Sequence, residues 1–417
     1  MPETTMSKAE VKTALKRAKE KVAWALKSES APRIAAMLRL ARSELAVTPN
    51  ELNHDAYLFN CENATIDLRT GQAREHRRED FITVCAPVQY DPAATCPLFD
   101  EALRSIFPEA PLQPDAPGNQ NLINFILRYF GYCLSGEVRE DALVIFHGDG
   151  SNAKTLILEL ITSIMGEYAC PAPPGLLLIQ KNERHPTELA RLFGKRLVHS
   201  QESEDGARLD ETKVKRLTGR DTVTARGMKE NFWDFTPTHK LLISTNHRPK
   251  IKGTDHGIWR RVYLVPFGAK FWDADKGQTG DERFRADKEL DKKLINEKSG
   301  ILNRVLIGFQ EWQRIGLAPP SEVLAATQKY AEESDLIGQF IEERCEIYKD
   351  STARVRSSEL YSIFSKWLEK IGEHGPGTKT FTQRIEKETG FSTVRSNGSW
   401  LCGIALRKDK EDGFVAN

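Results

Sequence analysis

Eight consecutive residues, Gly148-Asp149-Gly150-Ser151-Asn152-Ala153-Lys154-Thr155, have the types and spacing to grip a chain of phosphates. They follow Leu143-Val144-Ile145-Phe146, which reads as a buried strand, and Leu156 to Met165 continues as a helix. A loop of small residues between strand and helix turns backbone N–H groups inward, and the positive end of the helix dipole adds to them. Lys154 would reach the β- and γ-phosphates of a nucleotide, and the Thr155 hydroxyl would hold Mg2+. The segment departs from GxxxxGK[ST] once: Ala153 stands where glycine is usual because phosphates approach the backbone closely there. The competing reading is an ordinary strand-to-helix turn that happens to end in a lysine.

Downstream segments offer the remaining chemistry that hydrolysis of a γ-phosphate needs. Arg196-Leu197-Val198-His199-Ser200-Gln201-Glu202 reads as a second strand ending in an acid. Glu202 would orient or deprotonate the attacking water and help hold Mg2+, with Glu204 and Asp205 just beyond it; a solvated acidic turn is the plain alternative. Lys240 to Thr245 forms a third strand that delivers Asn246 to the same edge if the strands are parallel. Its amide would hold the water or the γ-phosphate, whereas an asparagine before His247-Arg248-Pro249 also suits a simple turn. Arg260 and Arg261 precede the strand Val262-Tyr263-Leu264-Val265, and one of them would offset charge developing on a neighbouring subunit's nucleotide. Between these segments, Lys215 and Arg216 lead to Thr222–Arg226 and Phe232–Phe235, two strands around a turn at residues 227–231. Basic residues on a projecting hairpin grip a nucleic-acid backbone and an aromatic stacks on a base; a plain amphipathic hairpin is the alternative.

The rest of the chain must position these groups. Its 417 residues allow two to four domains, and 40% hydrophobic with 29% charged residues supports packed cores. Mean hydropathy is −0.48, which excludes a mainly disordered, collagen-like or membrane-spanning chain. Lys12, Lys16, Arg17 and Lys19 interrupt any leader-like apolar run, so a cytoplasmic setting without membrane contact is expected. Sixty basic residues balance 59 acidic ones, but Lys181 to Arg261 carries 18 basic against 11 acidic side chains, a local net of +7 that would attract phosphates. Seven cysteines without CxxC spacing suggest neither a zinc site nor a disulfide framework.

Residues 1 to about 50 read as Ala-, Lys- and Glu-rich helices whose apolar faces hold Trp24, Leu26, Ile34, Met37, Leu38 and Leu40. Short strands and turns follow to about 90, then a loop with Pro108, Pro111, Pro114 and Pro117, and a helix over Leu122–Leu134. Strands alternate with helices from about 140 to 268, which predicts an α/β sheet. Residues 281–345 read as helical, and the final stretch as two helices with a hairpin of Phe391–Val394 and Trp400–Ile404, an order compatible with a winged helix.

Taken in order, the phosphate loop, the Ser-Gln-Glu strand end, Leu217-Thr218-Gly219-Arg220-Asp221 with Ala225-Arg226, Ser244-Thr245-Asn246-His247-Arg248-Pro249 and Trp259-Arg260-Arg261 resemble superfamily 3 helicases. More narrowly, the set looks like the helicase part of phage and plasmid primase-helicases, related to poxvirus-type uncoating/primase ATPases. Asn63-Ala64-Thr65-Ile66-Asp67-Leu68 upstream, and Glu311-Trp312, Leu360-Tyr361 and Lys366-Trp367 downstream, extend the likeness over most of the chain. The resemblance implies an α/β, AAA+-like P-loop core at 119–280, preceded by an α+β region at 1–118. A helical extension at 281–345 and a winged-helix-like region at 346–417 would follow. It further implies ATP and Mg2+ as cofactors, single-stranded or forked DNA as substrate, and a ring, usually a hexamer. Residues 148–155 would bind ATP, with Thr155 and Glu202 on Mg2+. Glu202 and Asn246 would be catalytic, Arg260 or Arg261 the finger acting in trans, and Lys229, Arg226 and Lys215 the DNA contacts. Gln201 departs from relatives that carry a second acid there. The chain shows no catalytic primase motif, so a separate primase or polymerase is expected. An ATP-binding DNA initiator or loader with little hydrolysis is the alternative, and an AAA+ protein without a nucleic-acid role is the third reading.

Overall fold

The computed structural model describes residues 7–47, 51–109, 118–180, 187–201, 206–227, 231–252 and 256–407. The chain separates into two compact units, Met1–His54 with Arg77–Thr83, and Asp55–His76 with Val84–Asn417. In the first unit, α1 (Lys8–Ser28) starts from a capping box: the Ser7 hydroxyl accepts the Glu10 N–H and the Glu10 carboxylate accepts the Ser7 N–H. The second helix, α2 (Ala31–Glu44), has proline in its first turn. The expected apolar faces are exposed among the described residues: neither helix has a buried residue, and Trp24 and Leu40 are 69% and 73% exposed. Local propensity and capping favour these helices.

The second unit opens with an antiparallel meander, β1 (Leu58–Asn60), β2 (Thr65–Asp67) and β3 (Gln72–Arg74). Next come α3 (Pro97–Ile106) and α4 (Gln120–Leu134), the latter buried over most of its length. The chain then alternates through β4 (Leu143–His147), α5 (Lys154–Met165), β5 (Ala169–Pro171), α6 (Thr187–Ala190) and β6 (Leu197–Gln201). It continues with α7 (Glu211–Thr218), the hairpin β7 (Val223–Arg226) and β8 (Phe232–Phe235), β9 (Lys240–Thr245), α8 (His256–Trp259) and β10 (Val262–Pro266). Five of these strands make one parallel sheet in the order β10-β4-β9-β6-β5. Both faces are covered: Val144 and Phe146 point into one core, Leu143 and Ile145 into the other. That is why the strand sequences read as continuous apolar runs, and all six residues of β9 are buried.

Sheet order fixes where a ligand can bind. From β4 the chain passes through α5 to β5 at one edge, whereas from β9 it passes through α8 to β10 at the other. The connections thus leave these adjacent strands in opposite directions, which makes the carboxyl ends of β4 and β9 the place in the sheet where a ligand crevice is expected.

The local positive excess is only partly at the surface. Arg196, at the start of β6, is buried and donates to the carbonyls of Leu134 and Leu58. Lys240 is buried beside the Ser135, Glu137 and Thr238 carbonyls and 4.7 Å from the Tyr132 ring. These cations brace the sheet and cannot attract a distant phosphate.

Helices α9 (Leu290–Ile295), α10 (Lys298–Ile315) and α11 (Ser321–Ser334) follow. Helix α10 crosses α4 so closely that a Cβ on Gly308 would lie 2.2 Å from the Leu127 carbonyl oxygen and one on Gly131 2.2 Å from the Phe309 nitrogen. A third core gathers Phe340, Phe364, Trp367 and Phe381. It is built from α12 (Leu336–Arg344), β11 (Cys345–Ile347), β12 (Arg354–Arg356), α13 (Ser357–Lys370), α14 (Thr378–Thr389), β13 (Val394–Arg395), β14 (Ser399–Cys402) and β15 (Ile404–Leu406). The expected final strand, 400–404, is in fact broken at Gly403, whose φ is +74°. There the chain leaves the β12-β14-β13 sheet and pairs with β11. A side chain at 403 would meet the Phe391 ring at 2.6 Å, so glycine is required.

Candidate functional site

The phosphate-loop segment runs from the end of β4 at His147 to the start of α5 at Lys154. Its backbone is in the left-handed region at Gly150 (φ +96°), Ser151 (φ +49°) and Ala153 (φ +64°). Gly148 has no room for a side chain, since a Cβ would lie 2.2 Å from the Asn152 amide and 2.4 Å from the Phe267 carbonyl oxygen. The segment after β10 clamps the loop: the Phe271 N–H donates to the Ser151 carbonyl at 2.7 Å, and the buried Asn152 amide donates to Phe267 at 3.4 Å. Ala153 gives α5 no side-chain cap, so the first-turn N–H groups are left to an external acceptor.

Alanine at φ +64° is strained relative to glycine by about 1–2 kcal/mol, partly offset by the lower entropy of the unfolded alanine chain. Ala153→Gly is therefore expected to raise stability by about 0.5–1 kcal/mol, read as a higher Tm. A fall in Tm would show that the αL conformation at this position is not retained.

Lys154 is buried, 5% exposed, and its ammonium has three acceptors. They are the Gly148 carbonyl at 2.6 Å, Asn152 Oδ1 at 2.9 Å and Asn246 Oδ1 at 2.9 Å. Burial pushes its pKa below the ordinary lysine value, and the nearby Asp149 carboxylate opposes that shift. Asn246 lies exposed just beyond β9, and the parallel register that sets His147 level with Thr245 brings it to the loop. Thr155 and Asp149 are exposed at the same edge. Gln201, exposed at the end of β6, is level with Ser244 of β9 and so lies at the same edge of the sheet. Glu202, Glu204 and Asp205 lie outside the described residues, as does Lys229. Among the described residues, no group of three or more His, Cys, Asp or Glu side chains forms a metal cluster.

The two arginines before β10 differ sharply. Arg261 is buried, donating to the Gly257 carbonyl at 2.8 Å and to Asp141 at 3.1 Å. Arg260 is 55% exposed, with only a 3.7 Å ion pair to Asp141. Val262 is level with Leu143, so both arginines sit at the amino end of β4, separated from the loop by roughly 15 Å of strand.

The predicted hairpin forms, and its base is packed: Trp233 and Phe235 meet Phe193 at 5.0 and 5.7 Å. Arg226 lies 5.0 Å over the exposed Phe232 ring, and Lys215 is half-buried on α7.

Sequence reading missed the partners that come from far along the chain. Phe267 and Phe271 hold the loop from more than 100 residues away, and only the aromatic cluster after the last strand hinted at them. His147, whose pKa burial and Arg248 push down, faces the same crevice. The segment after Asn246 is tied down in turn: Arg248 pairs with Glu333 at 2.7 Å, the Tyr330 hydroxyl donates to the Pro249 carbonyl, and Lys250 pairs with Glu373 at 2.5 Å. The asparagine at the crevice is thus linked to α11 and to the α13–α14 connection.

Comparison with known proteins supplies the kinship. Residues 3–108 match the family model described as D5 N terminal like, and residues 332–397 match Poxvirus D5 protein-like. Two segments of the chain are thus similar to D5-type family models. They bracket the parallel sheet, whose residues 146–261 match a family of unknown function (DUF5906). These two matches bear out the resemblance to poxvirus-type relatives, on the segments either side of the motifs. A protein of Acanthamoeba polyphaga mimivirus named as a candidate helicase is 28% identical over 339 residues, covering 78% of this chain and 34% of that one. A protein of Frog virus 3 with the same description is 27% identical, covering 60% and 27%. A candidate primase of African swine fever virus is 21% identical, covering 76% and 34%. The chain thus spans about a third or less of the length of these relatives. A solved structure, the A form apo structure of the NrS-1 C terminal region, aligns with a TM-score of 0.46 at 12% identity over 89% of this chain and 91% of that one. No helix among the described residues is long and apolar enough to cross a membrane.

Proposed function

We propose that the chain is an ATP-hydrolysing helicase subunit that moves on single-stranded or forked DNA during replication of a virus, phage, plasmid or other mobile element. One observation carries this reading: the Lys154 ammonium and the Asn246 amide meet at 2.9 Å in the crevice between β4 and β9. A strand-to-turn lysine with no ligand role has no reason to be buried against a distant asparagine at the topological switch point of the sheet.

The fit to a nucleotide is chemical. Amides of the 148–155 loop and the uncapped start of α5 would take the phosphates, as an anion at a helix N-terminus requires. All three ammonium hydrogens of Lys154 are engaged, so gripping a phosphate means releasing one acceptor, and exposed Asn246 is the cheapest to release. Its amide then turns to the γ-phosphate or the attacking water. Thr155 and Glu202 would hold Mg2+, which neutralises charge on the phosphates. Glu202 would orient the water, and Arg260 would complete the site of the adjacent subunit in a ring, with a hexamer as the proposed state. Lys229, Arg226 and Lys215 would touch DNA on or beside the hairpin. The names of the relatives support replication as the setting, and a primase or polymerase would be supplied elsewhere.

Ala153 favours a second reading, an ATP-bound initiator or loader, because its methyl group intrudes where phosphates approach most closely. Turnover separates the two. Under the motor reading, single-stranded DNA stimulates ATP hydrolysis several-fold and a forked duplex is unwound only with ATP. Tight ATP binding with no stimulated turnover and no unwinding would decide for the loader.

A further inference from the structure

A groove with a cavity of about 390 Å³ lies between residues 206–208 and 248–252, the junction of α11 with α12, and the connection from α13 to α14. Most of the side chains lining it are polar or charged, with five Lys and Arg against three Asp and Glu, a local 5 − 3 = +2. The segment after Asn246 supplies three of the cations. Arg248, Lys250 and Lys252 alternate with the buried Pro249 and Ile251, so all three face one side, over roughly 13 Å of extended chain. Arg208 stands beside Lys250 in a parallel bridge: the Leu209 N–H donates to the Lys250 carbonyl at 3.0 Å, and the Lys250 N–H to the Ala207 carbonyl at 2.7 Å.

Three of the five cations are already answered. Arg248 pairs with Glu333 at 2.7 Å, Lys250 with Glu373 at 2.5 Å and Arg384 with Asp335 at 2.7 Å, which engages every carboxylate in the lining. Arg208 and Lys252 are left over. Among the described residues, neither side chain has an ion-pair or hydrogen-bond partner. Arg208 is half-buried and Lys252 exposed, and the Lys252 N–H donates to Glu211 at 3.0 Å, which fixes its main chain. Like charges held in one groove repel, and an anion bound between them removes that cost.

We propose that this groove holds the phosphodiester backbone of single-stranded DNA through Arg208 and Lys252, as a contact separate from the β7–β8 hairpin. The proposal rests on the DNA-binding reading above and adds a site which that reading does not name. The layout favours a polymer over a free ion. Charges that hold one phosphate converge on a point, whereas these are spread along a segment, and a backbone that repeats its negative charge matches such a row. The Tyr330 ring is already covered, with Arg248 over it at 5.1 Å and Trp259 edge-on at 5.1 Å, so the groove offers backbone contact and not base stacking on that ring. Binding here is therefore indifferent to sequence and sensitive to salt.

The test is a salt titration of binding. Fluorescence anisotropy of a labelled oligothymidylate is followed with the full chain and with its Arg208→Ala/Lys252→Ala form over a series of potassium chloride concentrations. Losing two phosphate contacts should make the slope of log affinity against log salt shallower by about 1.4 and weaken binding about tenfold or more at low salt. The charge-keeping Arg208→Lys/Lys252→Arg form should retain the wild-type slope, because counterion release depends on charge. ATP turnover without DNA should be unchanged in both forms, and a circular dichroism melt checks that each folds. Lys252→Ala, at an exposed position, decides alone with a slope change of about 0.7 if the double alanine form does not fold. Inorganic phosphate, matched to chloride in ionic strength, is the competitor that separates a free anion from a strand. If the oligonucleotide binds wild type and double alanine form with the same affinity and slope, the groove is overturned and the hairpin reading stands. If phosphate displaces the oligonucleotide far better than chloride does from the wild type but not from the double alanine form, the groove is a site for a free anion and its assignment to DNA falls. If the wild type binds no oligonucleotide, the DNA reading falls and this contact falls with it.

Discussion

Replacing Lys154 with alanine is expected to lower ATP turnover on the order of 10³-fold, the scale for losing one charged group that faces developing transition-state charge. The loss should appear in kcat more than in KM if the ammonium tightens on the γ-phosphate only as the bond to it breaks. The substitution also leaves the Gly148 carbonyl and Asn152 Oδ1 without their shared donor, a cost of about 1–3 kcal/mol in a buried setting. A melting curve should therefore accompany the rate, and the variant must stay folded at the assay temperature. Wild-type turnover by folded Lys154→Ala would remove the phosphate-loop assignment, and the motor with it.

The second large effect concerns the arginine pair. Arg260→Ala should change Tm little, because the side chain is exposed and its 3.7 Å contact with Asp141 is loose. Turnover should nevertheless fall by about 10³- to 10⁵-fold under the proposed role, the scale for arginines that act on a neighbour's phosphates. Arg261→Ala should do the reverse, costing about 2–3 kcal/mol of stability by removing a buried cation bonded to Gly257 and Asp141. Mixing makes the trans geometry explicit. Neither Lys154→Ala nor Arg260→Ala is expected to hydrolyse ATP appreciably alone, but in the proposed ring a mixture would pair an intact loop on one subunit with an intact arginine on the next. Partial recovery of turnover is expected, and a mixture as inactive as its components would show that Arg260 does not act across a subunit boundary.

Much of the site was legible in sequence because its parts are local. Gly148 to Thr155 sits between an apolar strand and an apolar helix, and its backbone conformations follow from small residues in a short loop. Parallel pairing was an expectation from alternation, and it brings Asn246 to Lys154. The same reasoning overstated the surface charge, because a residue count cannot tell Arg196 and Lys240, buried under carbonyls, from a solvated cation. The apolar faces named for α1 and α2 are exposed among the described residues, since periodicity records which side chains share a side and not whether anything packs there. The final strand was drawn through Gly403 because a β-like composition hides a residue whose φ has changed sign.

By itself the sequence determined the element types, the loop that could hold phosphates, the order of motifs and the two competing arginines. Tertiary structure alone decided that Arg261 is an internal brace and Arg260 is exposed, and that Phe271 belongs to the loop. The reason is one of range. Dihedral preference and side-chain period act over a few residues, whereas burial and long hydrogen bonds depend on which strands the chain places side by side. Here β9 enters between β4 and β6, and that insertion makes neighbours of Lys154 and Asn246, residues 92 positions apart.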